Sequence, residues 1–295
     1  RAPGLASLPP KAPSPAPLDP VRLDAALSRL REAEAAAQPS ADLPSAAAHP
    51  ARSDPPRRWL EPAFRLLTAA DPATAGRLVL ALLPVQRLVH PGPLRYDLVL
   101  AGTGCVQVTI SEGGQSVQAE LRDRPRAAEE VHFSVHGDLA ALARLLAGGS
   151  TRWRFGRARA GIRGDRRAAK ALPALIRVPL RLGELLDAGA RMTPWLALSL
   201  GASMIDPGWT RGESFTVAFT PPGEPGSALL LRVGEGAPVA VVEAVRPPAG
   251  ACEVQVPAAA VGEVLAGRSA PREGVRGEGR PLVLVQSWIE RAQSG

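Results

Sequence analysis

A chain of 295 residues with 45% hydrophobic residues can bury cores of ordinary size, and at roughly 100–200 residues per domain it has room for one large domain or two common ones. Its net charge is +7, and the stretch from Arg152 to Lys170, with seven Arg and one Lys against one Asp, carries all of it, so basicity is local. No run reaches the roughly 18–20 apolar residues of a membrane span, and two cysteines exclude a disulfide framework or a cysteine-built metal site.

Residues 1–56 hold twelve prolines and hardly any aromatic side chains. Such a composition cannot offset chain entropy by burial, which predicts a disordered Pro/Ala-rich tail. Within it, Asp19-Pro20 followed by Val21, Leu23, Leu27 and Leu30 gives one short helical stripe over 19–37. No basic, apolar, small-residue leader stands near residue 1. With both cysteines expected as buried apolar residues, a reducing, cytoplasmic compartment is the expectation.

From Trp59 the pattern turns helical, with Leu60, Phe64 and Leu67 in one segment and Leu78, Leu80, Leu82 and Leu83 in a second opened by Asp71-Pro72. Period-two alternation follows: Leu98 and Leu100; Val106, Val108 and Ile110; Val117, Ala119 and Leu121; Phe133 and Val135. Glycine turns separate the first three runs, and the pattern predicts an antiparallel meander with one buried face. Asp138 caps a helix through Leu139, Leu142, Leu145 and Leu146, which Gly148-Gly149 ends. A strand over about 153–162 then leads into a helix with Leu172, Leu175 and Ile176.

The second half repeats this order. Helical sequence over 182–205, broken near Pro194, precedes strands carrying Phe215, Val217 and Phe219; Leu229, Leu231 and Val233; Val239 and Val241; and Cys252, Val254 and Val256. Pro257 opens a short helix with Ala258, Val261, Val264 and Leu265, Gly267 closes it, and a terminal helix is predicted over 282–292. The landmarks Leu145-Leu146-Ala147-Gly148 and Gly161-Ile162-Arg163-Gly164-Asp165 recur as Val264-Leu265-Ala266-Gly267 and Gly274-Val275-Arg276-Gly277-Glu278. Motif, helix phase and order agree, so the chain reads as two diverged α+β copies, over 57–178 and 179–295.

The Asp138–Gly149 helix and the Gly161–Asp165 motif resemble the sterol carrier protein-2 family. The first copy carries the resemblance well. The second carries it more weakly, with Pro257 in place of a capping Asp, Glu278 in place of Asp165, and no loop aromatics. The resemblance implies, for each copy, a mostly antiparallel five-stranded sheet covered by helices on one face around an apolar tunnel for a sterol, fatty acyl or isoprenoid ligand. It implies a carrier or accessory module that catalyses nothing by itself and needs no cofactor. Phe133, Leu139, Leu142, Leu146, Trp153, Phe155, Ile162, Leu172 and Leu175 would line the first cavity. The same apolar residues would equally make a filled core, which leaves a lipid-free interaction or scaffold module as the alternative.

Catalytic chemistry is missing from the sequence. Gly102-Thr103-Gly104 lacks the third glycine of a dinucleotide loop, no serine sits in a nucleophile elbow, and His132 and His136 have no companions to hold zinc. The basic cluster has three readings. It can be a solvated strand edge, or a surface for anionic lipid headgroups, worth about 1 kcal/mol per basic side chain near a charged membrane. Nucleic acid is the least favoured partner, because no recognition signature accompanies the arginines. In the membrane reading Arg152, Arg154, Arg157 and Arg159 face headgroups, with Trp153 and Phe155 entering the interface. The sequence does not speak to oligomeric state.

Overall fold

The first helix, α1 (Leu60–Ala70), buries Leu60, Ala63, Phe64 and Leu67, the i, i+3, i+4, i+7 stripe of an amphipathic helix. The computed structural model describes residues 58–88, 90, 92–101, 104–148, 161–178, 180–222, 228–269 and 274–294, the side chains of 174–177 excepted. The expected 19–37 helix and half of the basic cluster, Arg152, Arg154, Arg157 and Arg159, lie outside them. Helix α2 (Pro72–Ala81) starts where Asp71 accepts hydrogen bonds from the backbone N–H of Ala73 (3.1 Å) and Thr74 (3.0 Å), with Pro72 filling a position that needs no donor.

The first sheet contains β1 (Leu94–Leu100), β2 (Gly104–Ile110), β3 (Val117–Arg122), β4 (Phe133–Gly137) and β5 (Gly161–Gly164), in the spatial order β3-β2-β1-β4-β5. The meander expectation holds for β1 to β3. It fails at β4, which lies beside β1 in parallel with Leu98 opposite Val135. Alternation records which face a side chain takes and says nothing about strand direction. After β3 the chain runs back past Asp97 to the start of β1 before β4 begins, so β4 sets out from the same end as β1 and pairs with it in parallel.

Helix α3 (Leu139–Leu146) follows β4. Asp138 caps it by accepting from the Ala141 N–H at 2.5 Å, and Gly148 leaves it at φ +78°. The helix expected through Leu172, Leu175 and Ile176 is a 3-10 helix over Ala168–Arg177 instead. Pro173 sits inside it and has no N–H to continue an α-helical ladder.

The second half comprises α4 (Leu182–Asp187), α5 (Pro194–Met204), β6 (Phe215–Thr220), β7 (Ala228–Val233), β8 (Ala240–Ala244), β9 (Cys252–Gln255), α6 (Val261–Leu265), β10 (Val275–Arg276) and α7 (Arg280–Ser294). Thr193-Pro194 opens α5 as Asp71-Pro72 opens α2, the Thr193 hydroxyl accepting from the Leu196 N–H at 3.3 Å. The helix expected to start at Pro257 divides into a 3-10 turn over Ala258–Ala260 and the five residues of α6. The second sheet runs β10-β9-β6-β7-β8. Read from its other edge, that is the order of the first sheet, and again the central strand pairs in parallel with the fourth, Val217 opposite Cys252. Register therefore equates Tyr96 with Val217, Phe133 with Cys252, Asp97 with Ala218 and Gln107 with Leu230. The molecule is an α+β fold with two five-stranded mixed sheets.

Both sheets turn their apolar faces to one continuous core that draws residues from both halves. Between the halves, the Trp59 indole donates to the Leu180 carbonyl (2.9 Å), the Trp195 indole to the Thr74 hydroxyl (3.2 Å), and the Arg191 N–H to the Ala81 carbonyl (2.9 Å). Close approach matters where α2 meets α3. A Cβ on Gly76 would run into Leu139 side chain and backbone, so Gly76→Val is expected to cost about 1–3 kcal/mol of stability in a denaturant titration.

Candidate functional site

Two regions of the first half collect chemistry: the space between the sheet and the helices, and the opposite face of the same sheet. On the helical side, Leu98 of β1 faces Leu142, Leu145 and Leu146 of α3, with Val79 of α2, Leu83 of the Leu83–Leu88 3-10 helix and Leu172 closing the sides. These side chains line a cleft of about 270 Å³, open solvent included, and the gap between them admits about one water-sized sphere. The wall is entirely aliphatic. Leu142, Leu146 and Leu172 are buried while Leu145 is half-buried at the rim.

Of the nine sequence-predicted ligand residues, the structure brings Leu142, Leu146 and Leu172 together in this cleft. Phe133 is fully buried one pleat away, stacked on Tyr96 with ring centroids 4.9 Å apart. Leu139 packs on Gly76, and half-buried Ile162 lies against the core beside Val135; neither lines the cleft. Trp153, Phe155 and the Leu175 side chain fall outside the described residues. Sequence reasoning left Val79, Leu83, Leu98 and Leu145 out of the site. Helix and strand phases marked Leu83, Leu98 and Leu145 as apolar-face positions but not Val79, and only the assembled fold shows which side chains surround the same space.

The opposite face of the first sheet is polar and partly covered by the chain between β3 and β4. Asp97, with no exposed surface, is held there by Arg126, whose backbone N–H donates to Oδ2 at 2.6 Å and whose Nη1 donates to Oδ1 at 3.2 Å. The same guanidinium reaches the Val108 carbonyl (3.1 Å) and the Thr109 hydroxyl (2.9 Å). This carboxylate is fully occupied, which suits an anchor for the crossing chain. Beside it, burial and then the Asp97 charge push the Cys105 thiol up to about 11, so it stays protonated and unreactive at neutral pH.

His136 on this face lies 2.9 Å from the Ser134 hydroxyl, and burial, with the nearby Arg163 charge, lowers its pKa. His132 instead turns to the Arg95 backbone, its Nδ1 accepting from the N–H at 3.0 Å. The two histidines thus have separate environments, and among the described residues no group of three or more His, Cys, Asp or Glu could hold a metal ion. Arg163, Arg166, Arg167 and Lys170, the described part of the basic cluster, are all exposed. Among the described residues no helix is long and apolar enough to cross a membrane. No protein-family model and no curated protein sequence matches the chain.

Proposed function

We propose that the protein is a non-enzymatic binder of lipid-like ligands, which it takes up in the cleft beneath α3 of its first half. The observation that carries this reading is the chemistry of that cleft: seven aliphatic side chains from five elements converge on one space with no polar group among them. Ligand sites for apolar molecules are built this way, with hydrophobic walls and few polar groups. The resemblance of the Asp138–Gly149 helix and the Gly161–Asp165 motif to sterol carrier protein-2 domains supports the same reading, as does a sheet with helices against one face in each half. The exposed Arg163, Arg166, Arg167 and Lys170 would hold the carrier against anionic headgroups during exchange.

A ligand must part Leu142 from Leu172 to be admitted, because the gap between the lining side chains holds about one water. The two leucines stand on separate short elements, α3 and a 3-10 helix interrupted by Pro173. The same small volume favours a second reading, in which the leucines form a filled core and the protein is a lipid-free interaction module.

Leu142→Trp separates the two. If the cleft opens for ligand, the indole occupies it: lipid uptake is abolished and the thermal midpoint stays near that of the parent. If the site is a filled core, the same substitution overpacks it and lowers stability by about 1–3 kcal/mol. Native mass spectrometry of the protein isolated from a cell extract, followed by organic extraction, is expected to reveal a stoichiometric lipid. A protein that arrives empty and takes up neither a fluorescent fatty acid nor a fluorescent sterol overturns the carrier reading.

A further inference from the structure

Among the described residues, three buried side-chain atoms have no hydrogen-bond partner in the protein: Thr68 Oγ1, Gln86 Nε2 and Arg87 Nε. Gln86 differs from the other two in its position. It is 2% exposed, and its Oε1 accepts the hydroxyl proton of Tyr96 at 2.6 Å, while burial raises the pKa of that phenol and keeps it a donor. The amide is therefore held by one end, with both N–H groups at the other end unspent.

Gln86 is not one of the seven side chains that line the cleft, and two relations set its amide one step beyond them, next to Leu83 and Leu98. Leu83 and Gln86 belong to the same 3-10 helix, in which side chains three apart are eclipsed, so Gln86 projects on the side that Leu83 presents to the cleft. Arg87, one residue on, is turned about a third of a revolution away from that side. On the sheet, Tyr96 and Leu98 share one face of β1 two residues apart, roughly 7 Å along the strand. Leu98 lines the cleft, and Tyr96 carries the amide.

We infer that Gln86 is the polar anchor of the cleft and that the ligand is an aliphatic chain ending in a neutral oxygen acceptor: a ketone, an ester or a hydroxyl. This rests on the lipid-binding reading and adds the head group to it. A buried amide N–H left without an acceptor is costly, and a carbonyl supplies what it lacks. A carboxylate would bring a charge to a place where the groups on hand, Gln86 and Tyr96, are both neutral.

The probes are 2-decanone and decane, with binding to the full chain measured by headspace partition. The parent protein is expected to take up both, and Gln86→Leu to lose about tenfold in affinity for 2-decanone with decane unchanged. In the parent, 2-decanone and not decane is expected to shift the side-chain amide resonance of Gln86, a readout that survives even if the variant folds poorly. Decanone affinity unaltered by the substitution, or an amide resonance indifferent to the ketone, overturns the anchor and leaves the lipid reading standing; a water at Gln86 Nε2 would give that result. Uptake of neither probe by the parent overturns both.

Discussion

Asp97→Ala is expected to lower the free energy of unfolding by about 3–5 kcal/mol, because removing one partner of a buried ion pair strands the other. Asp97 has no exposed side-chain surface, and Arg126 has 20%. The guanidinium also holds the Val108 carbonyl and the Thr109 hydroxyl, so it cannot leave without abandoning them. Its partial exposure places the effect toward the lower end of that range. The second half contains a comparison made by the fold itself. At the positions that register equates with Asp97 and Gln107 stand Ala218 and Leu230, both buried and packed with Ala228 on the same outer face. An aliphatic solution is thus compatible with this architecture. The double variant Asp97→Ala/Arg126→Leu is accordingly expected to regain most of the lost stability in a urea titration. A double variant no more stable than the single one would show that Arg126 acts mainly through Val108 and Thr109.

Gly164→Val is expected to cost about 3 kcal/mol or more. Gly164 sits at φ +92°, a conformation β-branched residues avoid, and a Cβ there would come within 2.5 Å of the His132 carbonyl oxygen and 2.9 Å of the Phe133 Cα. Both neighbours are backbone and cannot swing aside. Its counterpart Gly277, at φ +86°, has the looser contact, 3.1 Å to the Ala251 carbonyl. Gly277→Val should therefore show chiefly the backbone contribution, about 1–2 kcal/mol. Comparing the two midpoints tests the steric argument, and equal losses at both sites would refute it.

Much of the architecture was legible because it is written in local periodicity. Leu98 and Leu100 alternate with Asp97 and Val99, and the caps at Asp71 and Asp138 stand where the helices begin. Other features depend on contacts that no window contains. Asp97 reads as one more polar residue of an alternating strand, and its counter-charge lies 29 residues away in an irregular stretch. The parallel pairing of β4 with β1 follows from the path of the chain. Leu142 and Leu172 could be named as apolar, while the small space they share with Val79 and Leu83 follows from packing. Gln86 carried no signal, since a glutamine in a helical run is ordinary until it is found 2% exposed.

The Trp59 hydrogen bond has a consequence for how the chain is made. Trp59 is 5% exposed, and the acceptor of its indole N–H is the carbonyl of Leu180, 121 residues further on. During synthesis from the N-terminus, the first sheet is complete at Gly164, before that acceptor and helix α5 exist. The nascent first half therefore holds Trp59 and the flank of α1 without their native cover until the ribosome has delivered Leu180 and the residues of α5. The emission of Trp59 is thus a natural clock for the moment when the second half closes onto the first.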